Sequence, residues 1–419
     1  MPTVHKETAP TWSSVHLDAV RGLAALAVMV FHEKSFFFSS LSDSTADVQV
    51  PAVNTATAVP APPPVFHRRA DMGNTPVMMF FVLSGYLVGG SVIKSLRRHV
   101  WSSKTYLIKR LTRLWVVLLP ALLFGLLLDN LGYHLLGAPG QVYVAHIGYV
   151  YPHVDQDFRI TTILGNIAFL QGILVSTPGS NGALWSLGNE FWYYILFPIL
   201  VVPFALKRSL VARAACVSLV VAFLTFVTMR SDFASLKHIP ILFPIWIMGA
   251  LLSLVPLRVP AALVNAVTAM MVLLVGAGTV LLRKFDIGVH KSQYIIALLF
   301  TGLLYMFLHY KRPSRAGWYR SLAGFFSKIS YSLYVLHMPV GAFLAALLLR
   351  PWHPRAKTPI NLAEMIGFFS LIILVTLCFY SIFEANTDRI RYWLFDRRER
   401  KIADLERPDL PATRVSDAL

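Results

Sequence analysis

Runs of about 18 or more mostly apolar residues recur along this chain, separated by short basic or Pro-rich connectors. Each run is long enough to cross the roughly 30 Å hydrocarbon core of a bilayer as a helix. Hydrocarbon holds no water to satisfy an exposed backbone, so helices and closed barrels are the only spanning forms. A soluble domain has no way to hide 56% hydrophobic residues set against 14% charged over 419 positions. The pattern predicts an all-α integral membrane protein with about ten transmembrane helices plus a short re-entrant or interfacial segment.

The spans fall at about 17–38, 75–93, 112–132, 184–204, 211–229, 239–256, 260–282, 292–310, 326–349 and 362–384. Residues 1–16 then form an N-terminal tail, 17–384 a transmembrane domain, and 385–419 a basic C-terminal tail. The net charge of +17 is spread over the ends of the apolar runs and forms no basic domain, which points to a lipid bilayer as partner and away from nucleic acid. With the N-terminus in the cytoplasm, about two dozen Lys and Arg fall inside and about a dozen outside, as the positive-inside rule requires. Both termini are therefore expected in the cytoplasm. Leu23 to Phe31 is short enough for a signal-peptide core, but His32, Glu33 and Lys34 follow it and no small-residue cleavage site does.

The segment Thr161 to Val175 is apolar but short. Were it a span, Lys207, Arg208 and Arg213 would change sides, so it is read as re-entrant or interfacial. Residues 39–74, with Pro51, Pro60 and Pro62-Pro63-Pro64, read as an extended loop, and 133–183 end in the turn signal Ser180-Asn181-Gly182. Cys216 and Cys378 lie in apolar runs and make no disulfide framework. No internal repeat of fixed period and no appended soluble domain are evident.

Within the first span stand Arg21 and His32, eleven residues apart. On a helix that is three turns plus about 20°, so both face one interior with roughly 16 Å between them. Ionisable residues inside a membrane mark function by default, and Asp18 one turn before Arg21 strengthens the reading of a polar cavity. The imidazole is a candidate general base, nucleophile, metal ligand or packing element. In the second span, Ser84-Gly85-Tyr86 offers close helix approach to a ligand or another helix. Ser84 lacks the surroundings of a nucleophile elbow.

Arg110 and Arg113 lie three apart at the mouth of the third span, able to grip phosphate oxygens together or to serve as a positive-inside anchor. Trp185-Ser186-Leu187-Gly188-Asn189-Glu190 opens the fourth, where Trp185 and the neighbouring Tyr residues suit either a sugar-binding surface or an aromatic belt. Glu190 is harder to explain as belt. His337 lies mid-span in Ser330-Tyr331-Ser332-Leu333-Tyr334-Val335-Leu336-His337-Met338-Pro339, and Glu384 ends the last span; either can be a satisfied structural group. No His, Cys or carboxylate spacing makes a metal site.

Taken in order, Leu17-Asp18-x-x-Arg21-Gly22 with His32, Phe80-Phe81-Val82-Leu83-Ser84-Gly85-Tyr86-Leu87, Arg110-x-x-Arg113, Trp185-Ser186-Leu187-x-x-Glu190, and the Ser330 to Pro339 run resemble the membrane acyltransferase 3 family. The set extends from about 17 to 384, nearly the whole chain. The resemblance implies a multi-pass enzyme of the bacterial cytoplasmic (inner) membrane that O-acylates carbohydrate. No cofactor is held permanently; acyl-CoA, acetyl-CoA above all, is the donor and a glycan or glycolipid the acceptor. It marks Arg21 and His32 as the essential pair, Arg110 and Arg113 as the pair meeting CoA, and leaves no room for the fused esterase-like (SGNH) domain of some members. Phe191 stands where many members have a second Glu, and Glu384-Ala385-Asn386 replaces a closing Glu-x-Pro.

From these residues His32 is expected to take the acceptor's proton, with an acyl-histidine as the alternative, and Glu190 to orient the acceptor or hold the imidazole tautomer. Asp18, Ser84, Tyr86, Trp185 and His337 are expected to line the cavity. The rival reading is a transporter or flippase of a polar solute, which also needs buried charges; its signature, inverted repeats with interrupted helices, is not visible. The acyl group, the sugar and the oligomeric state are not written in the sequence.

Overall fold

The computed structural model describes residues 10–38, 74–136, 142–143, 147–150, 158–230, 238–285, 288–315 and 317–396. The Pro-rich loop expected at 39–74 lies outside them except for its last residue, as do most of both terminal tails. The described residues are helical, with no β-strand. In order the helices are α1 (Trp12–Glu33), α2 (Asn74–Ser84) and α3 (Gly90–Arg97) joined by the π turn Gly85–Gly89, α4 (Ser103–Leu136), α5 (Ile160–Ile167), α6 (Leu184–Ala205), α7 (Leu210–Met229), α8 (His238–Leu252), α9 (Ala261–Phe285), α10 (Val289–Phe307), α11 (Trp318–Leu348) and α12 (Pro359–Ile382).

All ten expected spans fall on helices, and among the described residues eight helical stretches are long and apolar enough to cross a membrane. The remaining two spans are α8 and α10. Several helices start earlier than hydropathy alone suggests. Thr11 caps α1 by accepting the Ser14 N–H at 3.3 Å, and α12 opens on the cap Thr358 with Pro359 in its first turn. α4 begins at Ser103, so Arg110 and Arg113 lie within a continuous helix.

The segment around Thr161 does not cross. α5 has eight residues, about 12 Å of rise, and the chain then folds back through a turn in which Gly172 N–H donates to the Val175 carbonyl. Helix direction supplies an independent check. Asp18 meets Ser327, His32 meets His337, and Glu33 packs on Gly341, so α1 and α11 run in the same direction. Parallel spans require an odd number of crossings between them. Counting the first and ninth expected spans satisfies this, and a crossing at 161–175 would have made them antiparallel.

α11 sits at the centre: 72% of its apolar window is buried, against 11% for α7 and α9, which present their side chains outward as lipid-facing helices do. Around α11 stand α1, α4 and α12, and α2 packs on α8 through glycine. A Cβ at Gly85 would strike the Trp246 carbonyl, and one at Gly249 would strike the Val82 carbonyl, so the two backbones touch directly. The π turn begins at that contact.

Gly249→Val forces α2 and α8 apart and is expected to cost about 1–3 kcal/mol, read as a lower unfolding midpoint of the purified protein in detergent; an unchanged midpoint would show that the contact tolerates a side chain.

Candidate functional site

α11 meets the rest of the site through groups that its own sequence frees. Pro339 has no N–H, so the Val335 carbonyl loses its helical donor. Asn181, in the turn before α6, supplies a replacement: its side-chain amide donates to that carbonyl at 2.8 Å. The Ser180-Asn181-Gly182 turn and the His337-Met338-Pro339 run are thus two halves of one contact.

One turn away, His337 is fully buried and its Nδ1 lies 2.8 Å from the Tyr334 carbonyl and 3.1 Å from that of Leu333. Carbonyls only accept, so the hydrogen is on Nδ1 and Nε2 is left as acceptor. His32 Nδ1 approaches that Nε2 at 3.0 Å, the rings stacked at 5.2 Å between centroids. The hydrogen-bond network therefore places the second hydrogen on His32 Nδ1 and leaves His32 Nε2 with a free lone pair. The partner of His32 is His337, and no hydrogen bond joins His32 to Glu190.

Glu190 belongs to a second cluster. Its Oε1 accepts from the Ser84 hydroxyl at 2.6 Å and from the Tyr194 hydroxyl, and Trp246 Nε1 donates to Ser84 Oγ at 3.2 Å. Ser84 and Glu190 line a cavity together with Arg21, Arg110 and Arg113, so the structure brings these five expected residues to one place. Among the described residues none of the three arginines forms an ion pair. Arg21 makes only a long contact to Ser327 Oγ at 3.5 Å, and Ser327 donates to Asp18 at 2.8 Å. Arg110 lies over the Tyr106 and Tyr194 rings with its Nε buried and unpartnered. Arg113 has no hydrogen bond at all among the described residues.

Three cations meeting at one cavity without a carboxylate in contact make a site for an anion with several oxygens. Asp18, Tyr86, Trp185 and His337 are not among the residues lining this cavity. Asp18 acts through Ser327, Tyr86 lies on the π turn, and Trp185 packs edge-on against Phe81 at 6.2 Å. Glu384 accepts from the backbone and hydroxyl of Ser332 at 3.0 and 2.6 Å and so anchors the chain after α12 to α11.

Two buried acids cap the His32 end. Asp129 of α4 accepts from Tyr143 Oη at 2.9 Å, Ser180 Oγ at 2.7 Å and Ser180 N at 2.8 Å, three donors that fit an ionised carboxylate. Glu33 is wholly buried, in no ion pair among the described residues, and lies between Tyr149 and the backbone at Gly341. Tyr149 Oη lies 2.7 Å from the Met338 carbonyl and 2.9 and 3.1 Å from the two Glu33 oxygens. Burial pushes the phenol well above its ordinary range, so it keeps its single hydrogen. One hydrogen cannot fully serve the Met338 carbonyl and both Glu33 oxygens, and a proton on the acid satisfies the contact. Neither acid stood out in the sequence, where Glu33 was only a flank of His32 and Asp129 the polar end of an apolar run.

Glu33→Gln preserves this inventory and is expected to shift stability by no more than about 0.5 kcal/mol. Asp129→Asn removes an acceptor oxygen from three donors and is expected to cost about 1–3 kcal/mol. Unfolding midpoints of the two variants in detergent, in the opposite order, would reverse the charge assignment.

No curated protein and no solved structure is detectably similar to the chain. A family profile described as an acyltransferase domain, acyltransferase 3, matches residues 15–384, the stretch from the first turn of α1 to Glu384 that contains both clusters. With arginine cavity, imidazole pair and helical membrane fold in one matched unit, the chain belongs to the acyltransferase 3 family and is a membrane O-acyltransferase.

Proposed function

We propose that the protein moves an acyl group, acetyl above all, from cytoplasmic acyl-CoA to a hydroxyl of an extracytoplasmic or lipid-linked carbohydrate. The observation that carries the reading is the arrangement of one cavity: Arg21, Arg110 and Arg113 gather in it, and Tyr334, whose carbonyl holds His337 against His32, lines it too. Phosphate oxygens are the anions that suit two guanidinium forks three residues apart on one helix. Arg110 and Arg113 are assigned to the CoA phosphates and Arg21 to the pantetheine or thioester end. Acyl-CoA is a substrate here, and no resident cofactor is part of the reading.

His32 Nε2 is the general base. The acceptor oxygen attacks the thioester carbonyl carbon as its proton passes to Nε2. The C–S bond then breaks, and the imidazolium returns the proton to the departing thiolate, giving carbohydrate ester and free CoA thiol. His337 is a positioning residue that fixes which nitrogen of His32 is free, as an Asp does in a serine hydrolase. An acyl-histidine route would use the same lone pair on the carbonyl carbon. Glu190, bonded to Ser84 and Tyr194, is assigned to the charge balance of the arginine end.

The Lys and Arg distribution supports a cytoplasmic side for the start of α1 and for both termini; the bacterial inner membrane is taken from the family resemblance. Arg21 then faces the donor side, and His32 lies about 16 Å deeper. Mass spectrometry of surface glycans from cells with the chain, without it, and with His32→Ala tests the proposal. An acyl mass is expected to vanish in the last two; glycans unchanged by deletion would reject carbohydrate as acceptor. His337→Ala is expected to lower kcat at least about tenfold with KM for acyl-CoA little changed, and Arg113→Ala to raise that KM; the opposite split in steady-state kinetics would exchange the two assignments.

A further inference from the structure

The imidazole pair lies outside the lining of the arginine cavity. Neither His32 nor His337 is among its lining residues, which include Tyr334 and Phe80. Tyr334 touches both sides: its ring forms the cavity wall, its carbonyl takes the His337 Nδ1–H at 2.8 Å, and its ring lies 5.9 Å from that of His337. Phe80, on α2, meets the Tyr334 ring edge-on at 5.8 Å. An edge-to-face pair at that separation is in van der Waals contact, so no atom passes until a ring moves. The Tyr334 hydroxyl is tethered at the start of α6, 2.6 Å from Ser186 Oγ, which also lines the cavity, and 3.2 Å from the Ala183 carbonyl.

We propose that Tyr334 and Phe80 are specificity-determining residues, a partition that admits a short acyl group to His32 and holds back a long one. The inference rests on the acyl-CoA reading above. Its physical basis is that Tyr334 cannot rotate freely: it is buried, its backbone is fixed by His337, and its hydroxyl by Ser186. Phe80 is half-buried and carries no polar tether, so it is the ring that yields. A two-carbon group needs one ring to yield slightly. A longer chain needs the partition held open along its whole length. Ser186 thus acts on acyl choice at a distance from the reacting atoms, by stiffening Tyr334.

The test uses the full chain in membrane vesicles that carry the cell's own glycans, opened to the donor side and supplied with acetyl-CoA or hexanoyl-CoA. The readout is free CoA thiol, less that of the His32→Ala vesicles. Wild type is expected to favour acetyl-CoA strongly. Phe80→Ala is expected to raise the hexanoyl-to-acetyl ratio of kcat/KM at least tenfold, and Ser186→Ala to raise it by a smaller factor without altering either ring. Phe80→Leu serves if the alanine variant fails to insert. Wild type that uses both donors equally, or variants that process acetyl-CoA with the wild-type ratio, would overturn the partition and leave the acyltransferase reading standing. Wild type that releases no thiol from either donor would overturn both.

Discussion

The site depends on one pairing, α1 lying parallel to α11. Three contacts along it, Asp18 with Ser327, His32 with His337 and Glu33 with the backbone at Gly341, fix the two helices in register. Register matters because polar groups in a membrane interior have no water to fall back on. A shift of one turn would part His32 Nδ1 from His337 Nε2, and Asp18 and Arg21 from Ser327, at once. The small side chains at the contact allow this closeness: a Cβ on Gly22 would press on Phe326, and one on Gly341 would meet the Glu33 carboxyl. The same pairing sets the distance between Arg21 and His32 and holds both against one helix.

A second consequence is that the two ends of the site differ in charge. At the His32 end every group can be satisfied without net charge except Asp129, which is met by three donors. At the Arg21 end the cavity lining holds three guanidiniums and one carboxylate, Glu190, which is occupied by hydroxyls, while Asp18 and Glu384 stand outside the lining, each bonded to a serine of α11. The cavity therefore keeps a positive excess in a place where charge is expensive. An anionic ligand lowers that cost, and an anion that carries a reactive group at its far end brings it toward the neutral pair.

Much of this was legible in the sequence, for stateable reasons. Spans are long and apolar, so all ten could be located, and the helical repeat alone put Arg21 and His32 on one side. The positive-inside rule excluded the segment at 161–175 as a span, and helix direction now agrees. Helix starts were less legible, since Trp12, Ser103 and Trp318 open polar turns that hydropathy does not register. Through-space partners were not legible at all. His337 lies 305 positions from His32, and nothing local says that its Nδ1 is consumed by its own helix. Glu190 was expected to serve either the acceptor or the imidazole; its bonds to Ser84 and Tyr194 are contacts between helices and leave no mark on local pattern. Pro339 was visible as a helix irregularity, but its use, a carbonyl offered to Asn181, requires the fold.

The choice of a second imidazole to orient the first has its own physics. A carboxylate in that position would hold a charge in a low-dielectric interior, and the cost of burying it would have to be recovered from its few contacts. His337 does the same orienting task while neutral, because its surplus hydrogen is placed on a carbonyl of its own helix. In the proposed reaction the pair would be uncharged at rest and become charged only when His32 accepts a proton. His337 would then offer a lone pair, not a negative charge, to the imidazolium. Stabilisation of that charged state would be weaker than a carboxylate gives, which would favour rapid return of the proton to a leaving thiolate over its retention on His32.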